Sequence, residues 1–292
     1  MTRQDGDTQA AALMAVLDLE ERDSDVFVGL TPRTSLQRIF GGQVAGQAIM
    51  AAGLTVPEER PVHSMHAYFL RPGDPQGNIR YVVDRIRDGR AFTTRRVLAY
   101  QERRGEDVAI FALTADFHAA EAELASHTLP MPDVPGPDDL LPLEEHAAQH
   151  GAIGRPALEI GRAVDQRPLE DPFGRPPKSP PNTQTGAWMR VSGRLPDSRA
   201  VHAAALTFVS DLTLLGAGFA RLEAGGGGHM AASLDHAIWF HAPVRADDWF
   251  FYETDSPAAT GGLALCFGQI WAQDGTHLAT VAQQGLIRSL EH

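Results

Sequence analysis

The sequence predicts an α+β fold in which one structural unit occurs twice. Two similar stretches, "HAYFLRP" from His66 and "HAIWFHAP" from His236, lie about 170 residues apart. An apolar run rich in small residues precedes each stretch, and strand-like runs separated by turns follow each. Self-similarity of this kind, with the same order of elements in both halves, indicates a duplicated unit of one helix and an antiparallel meander.

The two apolar runs predict buried helices. Residues 40–56 ("FGGQVAGQAIMAAGLTV") and 201–219 ("VHAAALTFVSDLTLLGAGF") are long enough for helices and are apolar on nearly every side. A helix without a polar face has to be covered by other elements. We therefore expect one central helix in each unit.

Strand-like runs follow each helix within residues 79–118 and 247–288. The pairs Asp88–Gly89 and Asp274–Gly275 are typical of tight hairpin turns, because glycine adopts a positive φ at little cost. The alternative is two unrelated α+β domains whose similarity is accidental. The shared order of elements favours duplication over that alternative.

A proline-rich segment separates the two units. Residues 125–187 contain "PMPDVPGPDD" and "EDPFGRPPKSPPNTQTG", and proline interrupts both helices and sheet ladders. The sequence therefore predicts an N-terminal unit at 1–124, an ordered surface linker at 125–187 and a C-terminal unit at 188–292.

Composition limits the possible functions. The chain has 292 residues, 43% hydrophobic and 21% charged, with a net charge of −12, which argues against binding nucleic acid or anionic membranes. A single cysteine, Cys266, favours a reducing cytoplasm. The N-terminus lacks the apolar region of a signal peptide. We expect no apolar run long enough to approach the ~20 residues that span a bilayer, and therefore no stable membrane insertion. The last residues, 290–292, resemble a cloning scar.

Asp211 is the most conspicuous polar residue of the chain. It lies within the apolar run "FVSDLTLLGAGF", inside the second expected helix. Burial of an unpaired carboxylate costs several kcal/mol, so such a group is paired, protonated or functional. The apolar neighbours favour a functional role over a simple solvent-facing carboxylate.

Two further polar residues are candidates on weaker grounds. Gln283 should share a strand face with Val281 and Gly285, and a buried amide needs hydrogen-bond partners. Structural and functional interpretations of Gln283 are equally supported by the residues alone. Ser233, near the start of the strand after the second helix, is by itself no more than a turn hydroxyl.

Other motifs are absent or uninformative. The chain has no G-x-S-x-G elbow for a serine hydrolase. The "GGGGH" stretch at 225–229 lacks the Lys-Ser/Thr of a phosphate-binding loop and suggests a flexible turn. His236 and His241 are expected on opposite strand faces, so a metal site is not expected. Cys266 lies in an apolar strand, which favours an inert thiol.

Five arginines are concentrated in "RIRDGRAFTTRRV" at 85–97. Guanidinium groups bind phosphates well, but exposed strands commonly carry arginine. From composition alone, phosphate binding is the less favoured interpretation.

The motifs "IFGGQVAGQAIMAA", "VHSMHAYFLRPGD", "RIRDGRAFTTRRV", "SDLTLL", "LDHAIWFHAP" and "VAQQGLIR" together resemble the acyl-CoA thioesterase II family, the TesB-like double hot-dog thioesterases. They follow the family's order across nearly the whole chain. The resemblance implies a double hot-dog fold, in which each of two tandem units is a long buried helix wrapped by an antiparallel sheet.

The resemblance also implies an Asp, a Thr and a Gln as hydrolytic residues. By motif these fall on Asp211, Ser233 and Gln283, so a serine stands where the family has threonine. Serine keeps the hydroxyl and loses the methyl group that restricts its rotamer. We expect Asp211 to activate a water held by Ser233 and Gln283, without a covalent intermediate, a metal or a cofactor.

Substrate contacts are expected at the thioester carbonyl and at the phosphates of an acyl-CoA. The backbone of Gly41 and Gly42 is the candidate for holding the oxyanion at a helix N-terminus. Arg90 and Arg95 are the candidates for contacting CoA phosphates. The resemblance thus implies hydrolysis of fatty acyl-CoA to free fatty acid and CoA, by a cytoplasmic homo-oligomer.

Three alternatives remain open. A hot-dog enoyl-CoA hydratase is disfavoured because Gly216 stands five residues after Asp211 and no histidine follows nearby. A non-catalytic acyl-CoA binding or sensing protein would keep affinity without releasing thiol. A serine or cysteine thioesterase has little support, because the nucleophile elbow is missing.

Overall fold

The computed structural model describes residues 3–32, 36–119, 121, 125–152, 161–173, 185–219 and 229–289. The glycine-rich stretch at 225–228 and the terminal residues 290–292 lie outside this set. The α-helices are α1 (Arg3–Leu17), α2 (Gly41–Gly53), α3 (Leu143–Gln149) and α4 (Arg199–Ser210).

The described strands form one antiparallel sheet with the order β1-β2-β4-β5-β6-β3-β10-β13-β12-β11-β8-β7, and β9 pairs with β13. The strands are β1 (Leu19–Asp23), β2 (Val26–Gly29), β3 (Val62–Phe69), β4 (Ile79–Asp88), β5 (Phe92–Arg103), β6 (Glu106–His118), β7 (Val164–Pro168), β8 (Thr185–Val191), β9 (His229–Ser233), β10 (Asp235–Phe240), β11 (Phe250–Thr260), β12 (Leu263–Ala272) and β13 (His277–Ser289).

The sheet consists of two similar halves. In the first half β3 follows α2 and pairs with β6, and in the second β10 follows α4 and pairs with β13. The halves join where β3 pairs with β10 in antiparallel register, with Ala67 opposite His236. The duplication predicted from the sequence is therefore present as two helix-plus-meander units in one continuous sheet.

The two central helices pack against each other in antiparallel directions, and glycines allow the close approach. A Cβ atom on Gly42 would lie 2.5 Å from the carbonyl oxygen of Phe208, and one on Gly46 would lie 3.0 Å from that of Ala204. The start of α2 thus meets the end of α4, and the end of α2 meets the start of α4. Buried side chains of both helices belong to one hydrophobic core.

One predicted element boundary was wrong. The second helix does not extend over 201–219 but ends at Ser210, and a 3-10 helix follows at Leu214–Phe219, where glycines disfavour a continuous α-helix. Both expected glycine turns join paired strands, β4 to β5 and β12 to β13; Gly275 has a φ of +88°, whereas Gly89 does not have a positive φ. The matched histidines of the two units differ in environment, because His66 is exposed and His236 is buried.

The proline-rich segment carries secondary structure of its own. Besides α3 and a 3-10 turn at Pro137–Asp139, it contributes the edge strand β7, which ends at Pro168 and pairs with β8. Proline is compatible with an edge strand. Two indole N–H groups hold the segment against the sheet: Trp188 donates to the carbonyl of Pro135 (2.8 Å) and Trp271 to that of Leu129 (3.1 Å).

The stretch Arg199–Phe219 corrects the expectation that no apolar run approaches the length of a membrane span. It has 21 residues and is, by length and composition, apolar enough to cross a bilayer. The core helix of a folded domain passes the same test, and 67% of this window is buried inside the protein.

Candidate active site

The three polar side chains singled out from the sequence converge at the end of α4. The amide Nε2 of Gln283 donates to Oδ1 of Asp211 (2.8 Å), and the hydroxyl of Ser233 donates to the same oxygen (3.3 Å). Gln283 Nε2 also donates to Ser233 Oγ. The carboxylate, hydroxyl and amide therefore form one closed cluster.

Each member of the cluster is placed by a different element. Asp211 is the C-cap residue of α4, and the hydroxyl of Tyr252 donates to the preceding carbonyl of Ser210 (3.0 Å), which fixes the end of the helix. Ser233 ends β9 opposite Gly285 of β13. Because side chains alternate along a strand, Gln283 and Gly285 share a face, so the amide lies next to the hydroxyl.

Gln283 faces inward as the alternation predicts. Val281, Gln283 and Gly285 are buried, while the intervening residues are partly exposed. Gly285 is required by the packing, because a Cβ atom there would lie 2.3 Å from Cδ1 of Leu215.

Burial raises the pKa of Asp211 to about 6, and this is the largest influence on the group. Hydrogen bonds from Gln283, the backbone N–H of Gly42 and Ser233 oppose the rise because they favour the ionised form. The carboxyl group is thus mainly ionised at neutral pH, yet it is a stronger base than an ordinary aspartate. Such a pKa, close to the working pH, is what general-base catalysis requires.

The start of α2, from the other unit, completes the cluster. The backbone N–H of Gly42 donates to Asp211. A Cβ atom on Gly41 would lie 2.7 Å from Oδ2 of Asp211 and 2.8 Å from Cε1 of Phe69, so only glycine allows the helix N-terminus so close to the carboxylate. The site is therefore built from both units, and the predicted Gly41–Gly42 pair lies in it.

His236 belongs to the cluster but was not among the sequence candidates. Its side chain is buried, with Nε2 2.9 Å from Ser210 Oγ and Nδ1 3.3 Å from Gln283 Oε1. Burial lowers the pKa of His236 to about 4, so the ring is neutral at pH 7. Because Gln283 Oε1 can only accept, Nδ1 carries the proton, and the Ser210 hydroxyl lies within hydrogen-bond distance of both Nε2 and the carbonyl oxygen of Thr207 (3.0 Å).

The tautomer of His236 orients the Gln283 amide. With Oε1 facing the Nδ1–H group, Nε2 has to face Asp211 and Ser233. The pairing of β10 with β13 was the signal that could have identified this residue, because it brings His236 level with Gln283.

The two arginines expected to contact phosphates lie at the other end of α2. Arg95 hydrogen-bonds Thr55, two residues beyond that helix, and at 1.5 Å per residue the helix separates Thr55 from Gly41 by about 20 Å. Arg95 is only 1% exposed and forms an ion pair with Asp88 (2.6 Å). Its prediction as a substrate ligand is wrong for this structure, because its guanidinium is enclosed by protein groups.

Arg90, unlike Arg95, is exposed. It lies in the turn between β4 and β5, where its carbonyl accepts a hydrogen bond from the guanidinium of Arg60 (3.0 Å). Its role as a phosphate contact stays a prediction.

Cys266 is buried, and burial raises the pKa of its thiol. A raised pKa keeps the thiol protonated and unreactive. Within the described parts of the chain, no group of three or more His, Cys, Asp or Glu side chains is arranged to hold a metal ion.

Comparison with known protein families identifies the class. Residues 30–118 match the acyl-CoA thioesterase N-terminal domain, and residues 137–287 match the acyl-CoA thioesterase C-terminal domain. The chain belongs to the acyl-CoA thioesterase family, and its fold is the double hot-dog. The resemblance found in the sequence motifs is confirmed.

Individual relatives cover almost the full length. The chain is 36% identical to human acyl-coenzyme A thioesterase 8 over 97% of its own length and 91% of that protein. It is 34% identical to acyl-CoA thioesterase 2 of Haemophilus influenzae, with 96% and 98% covered. The crystal structure of the acyl-CoA thioesterase II TesB2 from Mycobacterium marinum superimposes with a TM-score of 0.78 at 38% identity, covering 96% of this chain and 99% of that one.

Proposed function

We propose that this protein hydrolyses fatty acyl-CoA to a free fatty acid and CoA, with Asp211 as the general base for water. The observation that carries the proposal is the cluster at the end of α4, in which a carboxylate with a pKa of about 6 holds an amide and a hydroxyl. The family and its named relatives support the same reaction class.

The proposed step begins with a water molecule bound to Asp211. A carboxylate offers about four acceptor positions, and Gln283, Ser233 and the Gly42 N–H account for three of them. The remaining position can accept a hydrogen bond from water. Because Gln283 and Ser233 both donate to Oδ1, this position is on Oδ2, which faces Gly41 at the start of α2; Ser233 and Gln283 hold the carboxylate that orients the water.

The chemistry is a balanced addition and elimination. Asp211 accepts a proton as the water oxygen bonds to the thioester carbon, which gives a tetrahedral intermediate. The intermediate collapses with cleavage of the carbon–sulfur bond, and Asp211 returns the proton to the departing CoA sulfur. General-base assistance typically contributes ~10²–10⁴ in rate, and the step uses no covalent enzyme intermediate, metal or cofactor.

Charge that develops on the carbonyl oxygen needs hydrogen-bond donors. The first turn of α2 supplies the Gly41 N–H and the positive end of the helix dipole, since the Gly42 N–H is already donated to Asp211. The absence of side chains on both residues lets a thioester approach this backbone closely.

The geometry disfavours the two other catalytic alternatives. A hydratase would require a histidine free to transfer a proton, whereas both ring nitrogens of His236 are engaged and its pKa is lowered to about 4. A serine nucleophile is disfavoured because the chain has no G-x-S-x-G elbow, even though the Ser233 hydroxyl donates to the proposed base Asp211.

Thiol release tests the proposal against a non-catalytic acyl-CoA binder. We would measure free CoA with a colorimetric thiol reagent for acyl-CoAs of increasing chain length, using wild type, Asp211→Asn and the control Asp84→Asn. Asp84 is an exposed carboxylate paired with Arg96. We expect turnover in wild type and in the control, and a loss of about 10²-fold or more in Asp211→Asn. Acyl-CoA binding without thiol release in wild type would refute hydrolysis.

Oligomeric state and location are part of the same proposal. Each end of the sheet leaves an edge strand, β1 or β7, available for pairing with another copy, and we propose a cytoplasmic homo-oligomer. Light scattering coupled to gel filtration tests the assembly, and a monomer at micromolar concentration would refute it.

A further inference from the structure

A cavity lies at the opposite end of the central helices from Asp211. It has a volume of about 660 Å³, within the roughly 300–1,000 Å³ typical of small-molecule sites. Its walls come from the end of α2, the start of α4, and the ends of β3, β6 and β10. None of the cluster residues Asp211, Ser233 and Gln283 lines it.

The cavity occupies the position that corresponds to the active site when the two units are exchanged. Asp211 caps the end of α4 beside the first turn of α2, and Leu54 caps the end of α2 beside the first turn of α4. A Cβ atom on Gly53 would lie 3.3 Å from Cβ of Ala200, so this second junction is also close. The duplication thus generates the same type of helix junction twice.

The residues that form the cluster at the Asp211 junction are missing from the cavity. A leucine, Leu54, stands at the C-cap where the active site has a carboxylate. Among the described residues, the only carboxylate that lines the cavity is Glu58, which is exposed. None of the glutamines in the described ranges lines it, so the amide that contacts Asp211 has no counterpart there. The cavity can therefore hold a ligand without the proposed hydrolytic step.

The walls of the cavity are apolar. They include Ile49, Val56, Phe117 and Phe240. Leu54 is 54% exposed and adds apolar surface that a ligand can contact.

Two arginines, Arg60 and Arg199, line the cavity together with one carboxylate, Glu58, so the rim carries a net positive charge. The guanidinium of Arg60 donates to the carbonyls of Gly89 and Arg90 and to the Thr93 hydroxyl, which are neutral acceptors. Arg199 forms no hydrogen bond or ion pair with the described residues. The first turn of α4 adds N–H groups, since the hydroxyl of its N-cap residue Ser198 makes no capping hydrogen bond.

We propose that this cavity is a non-hydrolytic binding site for a single-chain fatty acid, with the chain against the apolar walls and the carboxylate at the Arg60–Arg199 rim. The local positive charge contrasts with the net charge of −12 of the whole chain and favours an anionic head group. The choice of a fatty acid rests on the proposed function, because a free fatty acid is the product of that reaction.

Direct binding tests this site independently of turnover. We would titrate the wild-type protein, Leu54→Glu, Arg199→Glu and the control Leu141→Glu with dodecanoate below its micelle concentration, by calorimetry. Leu141 is 45% exposed and does not line the cavity. All three positions are exposed, and matched melting temperatures would verify folding. Dodecanol, which has the same chain and no charge, is the comparison ligand.

We expect Leu54→Glu and Arg199→Glu to bind dodecanoate roughly tenfold more weakly or to lose one binding class, because Leu54→Glu places a carboxylate against the ligand chain and Arg199→Glu places one beside its head group. Leu141→Glu should match wild type, and Arg199→Glu should bind dodecanol as wild type does. Equal affinity and stoichiometry for dodecanoate in all four proteins would overturn the proposal. Since binding is measured without thiol release, its failure is distinguished from failure of hydrolysis.

Discussion

Asp211 should make the folded protein less stable at neutral pH than a neutral side chain in its place. The carboxyl pKa of about 6 lies above the usual aspartate pKa of 3.8 because burial penalises the ionised form. A group with a raised folded-state pKa contributes stability below pH ~4 that is lost as the pH rises through ~6. At 1.36 kcal/mol per unit, the difference between 3.8 and about 6 corresponds to at most about 3 kcal/mol.

The substitution Asp211→Asn removes this titration and keeps the size of the side chain. Below pH ~4 the free energies of unfolding of the variant and the wild type should differ by a constant amount, which reflects the altered hydrogen bonds. Between about pH 4.5 and pH 8, the free energy of unfolding of Asp211→Asn relative to wild type should rise by about 2 kcal/mol. The same variant should be catalytically inactive.

Urea unfolding followed by circular dichroism at several pH values measures this difference. Asp84→Asn serves as the control, because Asp84 is an exposed carboxylate and removal of such a group should leave the pH dependence nearly unchanged. A difference between Asp211→Asn and wild type that stays flat, or that falls as the pH rises, would show that the carboxylate is not held in a disfavoured ionised state.

Four further predictions address the site. The kcat/KM of the wild type should fall about tenfold per pH unit below pH ~6 as Asp211 becomes protonated; a profile that is flat to pH 5 contradicts the assignment of the base. His236→Phe should lower kcat about tenfold with little change in KM, because the glutamine amide loses its orienting donor, and His236→Asn should restore part of the loss. Ser233→Thr should stay within a few-fold of wild type or exceed it, and a complete loss of activity would place this serine outside the site. Gly41→Ala should lose roughly tenfold or more in rate, because its Cβ would lie 2.7 Å from the carboxylate, whereas Gly216→Ala, with nothing within 4 Å, should match wild type.

Local sequence patterns predicted which polar residues come together better than they predicted the structure that surrounds those residues. Period-two alternation placed Gln283 on the buried face of its strand, and an apolar context identified Asp211. Neither pattern could show that α4 ends at Ser210, because the following residues are apolar enough to continue a helix. The approach of Gly41 to Asp211 depends on the antiparallel packing of two helices about 160 residues apart in the chain, which no local pattern contains.

Strand alternation carried more information on Arg95 and His236 than was used. In "TTRRVLA" the buried positions are Thr93, Arg95, Val97 and Ala99, so the alternation that identified Gln283 would also have turned Arg95 inward. His236 was considered only as a metal ligand together with His241, and its position level with Gln283 was not used. Since facing direction reverses with a shift of one residue, the similar letters around His66 and His236 did not establish similarity of environment.

The location of the base between the two units explains why duplication is compatible with a single catalytic centre. Asp211, Ser233 and Gln283 all belong to the second unit, but the Gly42 N–H that favours the ionised carboxylate belongs to the first. In a symmetric pair of identical units both junctions would carry the same groups. Fusion in one chain allows each junction to change separately, so the α4 end retains a carboxylate while the α2 end has Leu54. Replacement of that carboxylate removes a buried charge and leaves an apolar pocket, which is the environment expected for binding an acyl chain without hydrolysis.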